Sequence, residues 1–232
     1  MTSAIAKFHF APTEVSKQNL ISQKYLENIF VTGNTSIDAL DITLQKYKDQ
    51  NISFETKHSK VDFSKKVFLV TCHRRENFGE PLIRIFNTIK EIVSNLSDVE
   101  VIFPVHLNPN VQSEAKKIFS SIHRVHLCEP VDYFEFVWLM KKSYLILSDS
   151  GGVQEEAPHL GIPVIVLREN TERPEGVTAG VSFLAGSDPE KIKNYVKKFM
   201  DPVEYKKFKG QVNPYGDGHA SEKIFNVLRE KL

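Results

Sequence analysis

Lys66-Val-Phe-Leu-Val-Thr-Cys72 decides the reading of this chain. A continuous apolar run of this kind is what a strand buried on both faces of a sheet requires. The residues after it change period: Leu82, Phe86, Ile89, Val93 and Leu96 recur at spacings of four and three, the apolar stripe of an amphipathic helix. The alternation then repeats along the chain. Val99-Glu-Val-Ile-Phe-Pro-Val105 reads as the next strand, and Pro109 suits the first turn of a helix through about Ser121. Arg124-Val-His-Leu-Cys128 is a third strand, and Asp132 can cap a helix from Tyr133 to Lys142. Tyr144 to Ser148 is a fourth, followed by a helix from about Gly152 that stops near Gly161. Pro163 to Leu167 is a fifth and Val181 to Ala185 a short sixth, before Asp188 and Pro189 open a helix to about Met200. This rhythm predicts an α/β domain, a Rossmann-like doubly wound parallel sheet, over residues 61–210.

The two ends do not follow that rhythm. Residues 1–40 hold one helical stretch, around Thr13 to Tyr25, with short apolar pieces on either side. Residues 41–65 are polar and helical to loop-like, and Asn213-Pro-Tyr-Gly-Asp-Gly218 is a turn cluster before a final helix, about Ala220 to Lys231. These flanks read as pieces that need another surface to pack on. Composition bounds the rest. Of 232 residues, 41% are hydrophobic and 25% charged, which is globular rather than disordered. Thirty basic against 29 acidic side chains leave a net charge of +1, without the clustered basic excess that nucleic acid demands. No apolar run approaches the roughly 18 residues of a membrane span, and the first residues lack the basic and long apolar regions of a signal peptide. Two cysteines, Cys72 and Cys128, read as buried thiols of a reducing compartment, so a soluble cytoplasmic protein is expected.

Parallel sheets bind ligands at the carboxyl ends of their strands, so the strand-to-helix loops are where chemistry is expected. In Leu147-Ser-Asp-Ser150-Gly151-Gly152-Val-Gln-Glu-Glu156 a strand ends, a serine and two glycines follow, and a helix begins. Free N–H groups and the helix dipole there favour an anion, and glycines remove the Cβ atoms that would keep a phosphate oxygen away. Glu156, one turn in, can hold a ribose or sugar hydroxyl pair. The same residues also suit a serine cap with carboxylates complementing the dipole. The first strand ends in His73-Arg74-Arg75-Glu76-Asn77, either a diphosphate-binding and acid–base cluster or a salt-bridged loop. His106 ends the second strand in the same way, as a site residue or a structural histidine. Arg173, in a charged loop after the fifth strand, suits a phosphate or ribose as well as a plain surface. Phe136, near the start of its helix on the same rim, can stack on a base or fill core. His123 and His126 lack the carboxylate neighbours and helical spacing of a metal pair.

With these residues in view, the chain resembles the bacterial UDP-N-acetylglucosamine 2-epimerases of the non-hydrolysing type. The stretches that carry the resemblance are His73-Arg-Arg-Glu-Asn-Phe-Gly79, Pro104-Val-His-Leu-Asn-Pro109, Asp149-Ser-Gly-Gly-Val-Gln-Glu-Glu-Ala-Pro158, Thr171-Glu-Arg-Pro-Glu175 and Asn213-Pro-Tyr-Gly-Asp-Gly218. Phe10-Ala-Pro-Thr13 and Val31-Thr-Gly-Asn34-Thr are similar to the family's stretch between its two domains. The resemblance implies the C-terminal half of a GT-B fold, two Rossmann-like domains with the active site in the cleft between them. Residues 1–60 would be the remnant of the N-terminal domain and the interdomain connection, and 211–232 the C-terminal turn and crossover helix. It implies interconversion of UDP-GlcNAc and UDP-ManNAc by anti elimination of UDP and re-addition, with no metal or other cofactor. Residue by residue, Ser150, Gly151 and Gly152 would hold the diphosphate, Glu156 the ribose, Arg173 the UDP portion, and Phe136 the uracil. Val131 stands where some members carry a polar side chain, so a uracil contact there would come from backbone. His73 would sit by the leaving phosphate, and Arg74 and His106 match positions that in some members contact a second, regulatory UDP-GlcNAc. The partners implied are UDP, its two sugar conjugates, and either a second copy in a homodimer or a separate chain carrying the N-terminal domain. Only the later three-fifths of the family's length is matched, without the acidic residues proposed to move the C2 proton. A UDP-sugar-binding module without turnover is therefore the alternative, and a GT-B glycosyltransferase a more distant one.

Overall fold

A computed structural model describes residues 2–46 and 51–232. Each predicted strand is present, trimmed at its ends: β3 (Lys66–Thr71), β4 (Val99–Pro104), β5 (Val125–Cys128), β6 (Leu145–Ser148), β7 (Val164–Val166) and β8 (Ser182–Leu184). They form one parallel sheet in the order β5-β4-β3-β6-β7-β8. The chain winds outward one way from β3, then returns past it to wind the other way, so helices cover both faces. On one face pack α5 (Glu80–Asn95), α6 (Pro109–Phe119) and α10 (Pro189–Met200), around Phe68, Phe86, Phe103, Phe119 and Phe199. On the other, α7 (Tyr133–Lys142) and α8 (Gly151–Glu156) enclose Leu69, Ile102, Trp138, Met140, Ile146 and Val164. Val67, Leu69, Ile102, Ile146 and Val166 are at most 1% exposed, which is why their strands read as unbroken apolar runs.

Three helices depart from the sequence reading. The helix α3 (Thr35–Lys46) begins within the stretch expected to hold one helix only, and it buries just Ile37, Asp38, Leu40 and Thr43. Its apolar stripe is too thin, and too interrupted by aspartate and threonine, to stand out from the sequence. The short α9 (Pro174–Thr178) lies in the charged loop after β7, and α11 (Pro202–Lys209) follows α10 at once, capped by Asp201 and burying only Phe208. Short segments with one or two buried side chains leave no period to detect. The helix expected from Gly152 to Gly161 is α8 continued by a 3₁₀ turn, Ala157–Leu160, and Gly161 stops it in the left-handed conformation (φ +68°).

The flanks dock on the domain itself. The final helix α12 (Ala220–Lys231) packs on α3, and α3 packs on α7 and α8. The turn between α11 and α12 meets the segment before α3 through backbone alone: a Cβ on Gly33 would lie 3.2 Å from the Cα of Gly216. Ahead of that, β1 (His9–Ala11) and β2 (Ile29–Val31) form a separate two-stranded parallel sheet bridged by α2 (Glu14–Ser22), with Phe8, Phe10 and Phe30 clustered on it. Two short helices, α1 (Thr2–Ile5) and α4 (Asn51–Lys57), complete the chain. Among the described residues no helix is long and apolar enough to cross a membrane. Cys72 is buried and Cys128 half-buried, both free, and burial pushes the Cys128 thiol up to about 11.

Candidate active site

The order in which the chain lays down its strands reverses between β3 and β6, and residues from the loops leaving β3, β4 and β6 line the crevice above that point. His73, His106, Val131, Phe136 and Ser150 line one cleft there, about 300 Å³ in volume. The rings of His73 and His106 stack with centroids 5.5 Å apart and planes 22° from parallel. Asp149 organises the first loop. Its Oδ2 accepts the backbone N–H groups of His73 and Arg74, both at 2.9 Å, and the Asn77 side chain at 3.0 Å. Asn77 also donates to the Leu167 carbonyl at 2.9 Å, tying the β3 loop to β7. Burial would raise the Asp149 carboxyl, but the hydrogen bonds from His73 and Arg74 outweigh it and hold the group below the usual carboxylate range. The Arg74 Nε is buried without a hydrogen-bond partner among the described residues.

The serine–glycine turn behaves in part as its sequence suggests. Ser150 takes the N-cap position of α8 in extended conformation, its hydroxyl makes no capping bond, and its N–H donates to the Ser148 Oγ at 3.0 Å. The two glycines then differ. A Cβ on Gly152 would meet nothing described within 4 Å, so this amide is open to a ligand. A Cβ on Gly151 would lie 3.0 Å from the Arg173 Cζ. The absence of a side chain at Gly151 thus lets the Arg173 guanidinium approach the start of α8. The helix N-terminus and an arginine are brought to one point.

Arg173 is held there by residues that the sequence reading passed over. Its Nε donates to Glu155 Oε1 and its Nη1 to Glu172 Oε2, each at 2.9 Å. The other Glu155 oxygen accepts the Asn34 side-chain amide at 2.7 Å, across 121 residues of sequence. Tyr215, buried in the C-terminal turn, accepts the Gly176 N–H at 2.9 Å and donates to the Arg173 carbonyl at 3.1 Å. Thr13, the cap of α2, donates to Glu175 at 2.5 Å. Asn34 in its Gly-Asn-Thr and Tyr215 in the turn therefore both reach Arg173, the first through Glu155 and the second at the backbone carbonyl, while Glu175 ties the same charged loop to Thr13. The signal for this was the presence of polar residues in short stretches with no period, and pairing them required the fold.

Glu156, the last residue of α8, is 9% exposed and is not among the residues that line this cleft. Burial pushes its carboxyl up to about 7, opposed by the Tyr133 hydroxyl, which donates to Oε1 at 3.2 Å, and assisted by the neighbouring charge of Glu155. Tyr133 and Phe136 lie on the first turn of α7, so the same helix serves Glu156 and the cleft. His126 bonds Glu100 at 2.6 Å, and the described residues contain no cluster of three or more His, Cys, Asp or Glu suited to a metal ion.

Comparison with known proteins places this geometry. The family profile described as UDP-N-acetylglucosamine 2-epimerase matches residues 1–229. The chain belongs to that family. The UDP-N-acetylglucosamine 2-epimerase of Bacillus subtilis is 50% identical over 230 residues, covering 98% of this chain and 59% of that protein. The one from Campylobacter jejuni is 47% identical, over 97% of this chain and 61% of its own length. Among solved structures, the Neisseria meningitidis UDP-GlcNAc 2-epimerase bound to UDP-GlcNAc superposes with a TM-score of 0.92 at 45% identity, covering 99% of this chain and 63% of that one. The Methanocaldococcus jannaschii enzyme, in complex with UDP-GlcNAc and UDP, gives 0.81 at 36%, over 98% and 62%. The six-stranded sheet is thus one Rossmann-like half of the GT-B arrangement that these epimerases share. The chain spans about three-fifths of the length of the relatives it matches.

Proposed function

We propose that this chain is the UDP-binding part of a UDP-GlcNAc 2-epimerase, an isomerase that interconverts UDP-GlcNAc and UDP-ManNAc by eliminating UDP and adding it back. The observation that carries the reading is the cleft shared by His73 and Ser150 at the sheet's switch point, with the Arg173 guanidinium against the next residue, Gly151. In this reading the diphosphate lies across the Ser150–Gly152 amides, with the Arg173 guanidinium beside it. The ribose hydroxyls bond Glu156, and the uracil stacks on Phe136 and bonds the backbone near Val131. His73 stands at the leaving phosphate, where a positively charged imidazole offsets the charge that develops as the C1–O bond breaks. His106 lines the cleft and Arg74 follows His73 in the same loop, and both would serve a second nucleotide-sugar.

One observation favours the alternative of binding without turnover by this chain alone. The described residues lining the cleft include no carboxylate, and moving a proton at C2 needs a base there. The domain division argued from sequence, 1–60, 61–210 and 211–232, is retained as part of the proposal. So are a cytoplasmic location and a partner, either a second copy or a chain carrying the remaining two-fifths of the relatives' length. Proton NMR of UDP-GlcNAc with the purified chain in D2O tests both readings. Broadened uracil and ribose signals with no deuterium at C2 are expected from binding alone. Deuterium at C2 with a UDP-ManNAc signal would mean the chain holds its own base, and sharp, unchanged signals would refute UDP binding.

A further inference from the structure

Asp149 is built to do more than brace a loop. Its Oδ2 alone takes all three N–H donors, from His73, Arg74 and Asn77. Its Oδ1 is fully buried, accepts no hydrogen bond from any described residue, and lies 3.2 Å from the His73 Nδ1. A buried carboxylate oxygen left without a donor is costly, and the imidazole is the strong donor within reach. The Cys72 thiol is the competing neighbour, but a thiol is a weak donor. On its other side His73 meets the plane of the His106 ring, whose own Nδ1 already accepts the Asn108 N–H at 3.1 Å. Asp149 itself is fixed at the end of β6, its N–H bonded to the Thr71 carbonyl at 3.2 Å.

We propose that Asp149 is a positioning residue for His73, holding the neutral imidazole as the Nδ1–H tautomer so that Nε2 faces the cleft as an acceptor. The inference deepens the proposed function and rests on its placement of His73 beside the leaving phosphate. With Nδ1–H directed at a carboxylate, Nε2 carries the lone pair: it can take up a proton, and the resulting imidazolium, stabilised by Asp149, can donate to a phosphate oxygen. The His73–Asp149 contact is close but not aligned as a hydrogen bond, and catalytic contacts of this kind commonly tighten in the substrate complex.

Long-range ¹H–¹⁵N correlation spectra of the histidine-labelled chain test this, with His73 assigned by its loss in His73→Gln and the pH set where its ring is neutral. The wild type is expected to show a pyrrole-type Nδ1 and a pyridine-type Nε2. In Asp149→Asn the amide NH2 faces the ring, and the two nitrogens should exchange their shifts. A wild-type ring in the Nε2–H form, or the same pattern in both proteins, would overturn the proposal. Should Asp149→Asn fail to fold, the wild-type spectrum alone still decides. Adding UDP separates this inference from the reading beneath it. A moved Nε2 resonance supports both, whereas an unmoved one with the Nδ1–H pattern intact refutes the UDP site and leaves the role of Asp149 standing.

Discussion

Glu156 and Arg173 serve different parts of the same nucleotide, and their variants should separate accordingly. Replacing Arg173 by alanine removes a charge-assisted phosphate contact, so UDP affinity should fall about 10- to 100-fold in calorimetric titrations while uridine affinity stays unchanged. Glu156→Gln should weaken UDP and uridine alike, by about 10-fold, because the ribose is common to both. The glutamate also leaves a signature in stability. The folded chain keeps its proton up to about 7, whereas the unfolded chain releases it near the ordinary value of 4.5. The folded state therefore holds the extra proton between those values. Stability should drop as pH rises through that window, by up to about 3 kcal/mol, and level off above it. Urea denaturation across the window should show this slope in the wild type and a flatter one in Glu156→Gln. Ser150, Glu156 and Arg173 could be proposed from sequence because each follows a recognisable strand, Ser150 and Arg173 in the loop that leaves it and Glu156 in the helix beyond. Asn34, Glu155 and Tyr215 were not: their partners lie far away in sequence, and only the folded chain brings them together.

Strands β3, β4 and β6, and helices with a full apolar stripe such as α5, declare themselves in the sequence because burial on two faces, or along one stripe, dictates their composition. Helix α3 hides because one of its buried polar residues does its work on another element. Asp38 Oδ2 accepts the Ala220 N–H at 3.0 Å and Oδ1 the Ser221 N–H at 2.7 Å, so the cap of α12 comes from α3 rather than from His219 beside it. Burial opposes these bonds but the Ser221 and Ala220 donors prevail, holding the Asp38 carboxyl below its ordinary value. Asp38→Ala should destabilise the chain by about 1–2 kcal/mol, the value of a lost N-cap. Hydrogen exchange should locate the loss in the first turn of α12 before any change in β3 or β6.

At the scale of the molecule, the chain divides into a sheet closed by helices on both faces and a small parallel pair, β1–β2, packed by α2. Ile5 is 87% exposed, Leu26 74% and Val31 44%, all in or beside that pair. Parallel strands are ordinarily buried on both faces. Light scattering behind size exclusion should therefore show a mass that climbs with concentration, and Val31→Lys should lower it without affecting UDP affinity. The sequence reading expected the flanks to need an outside surface. Helices α3 and α12 instead find theirs on the domain, through Gly33, Gly216 and Asp38, none of which advertises a long-range contact. The central claim is that the switch-point cleft is a UDP site, and a crystal structure of the chain grown with UDP tests it most directly. The diphosphate is predicted to lie against Ser150, Gly152 and Arg173, with the ribose at Glu156 and the uracil at Phe136. UDP bound elsewhere on the chain, or that cleft without nucleotide at saturating UDP, would contradict the account.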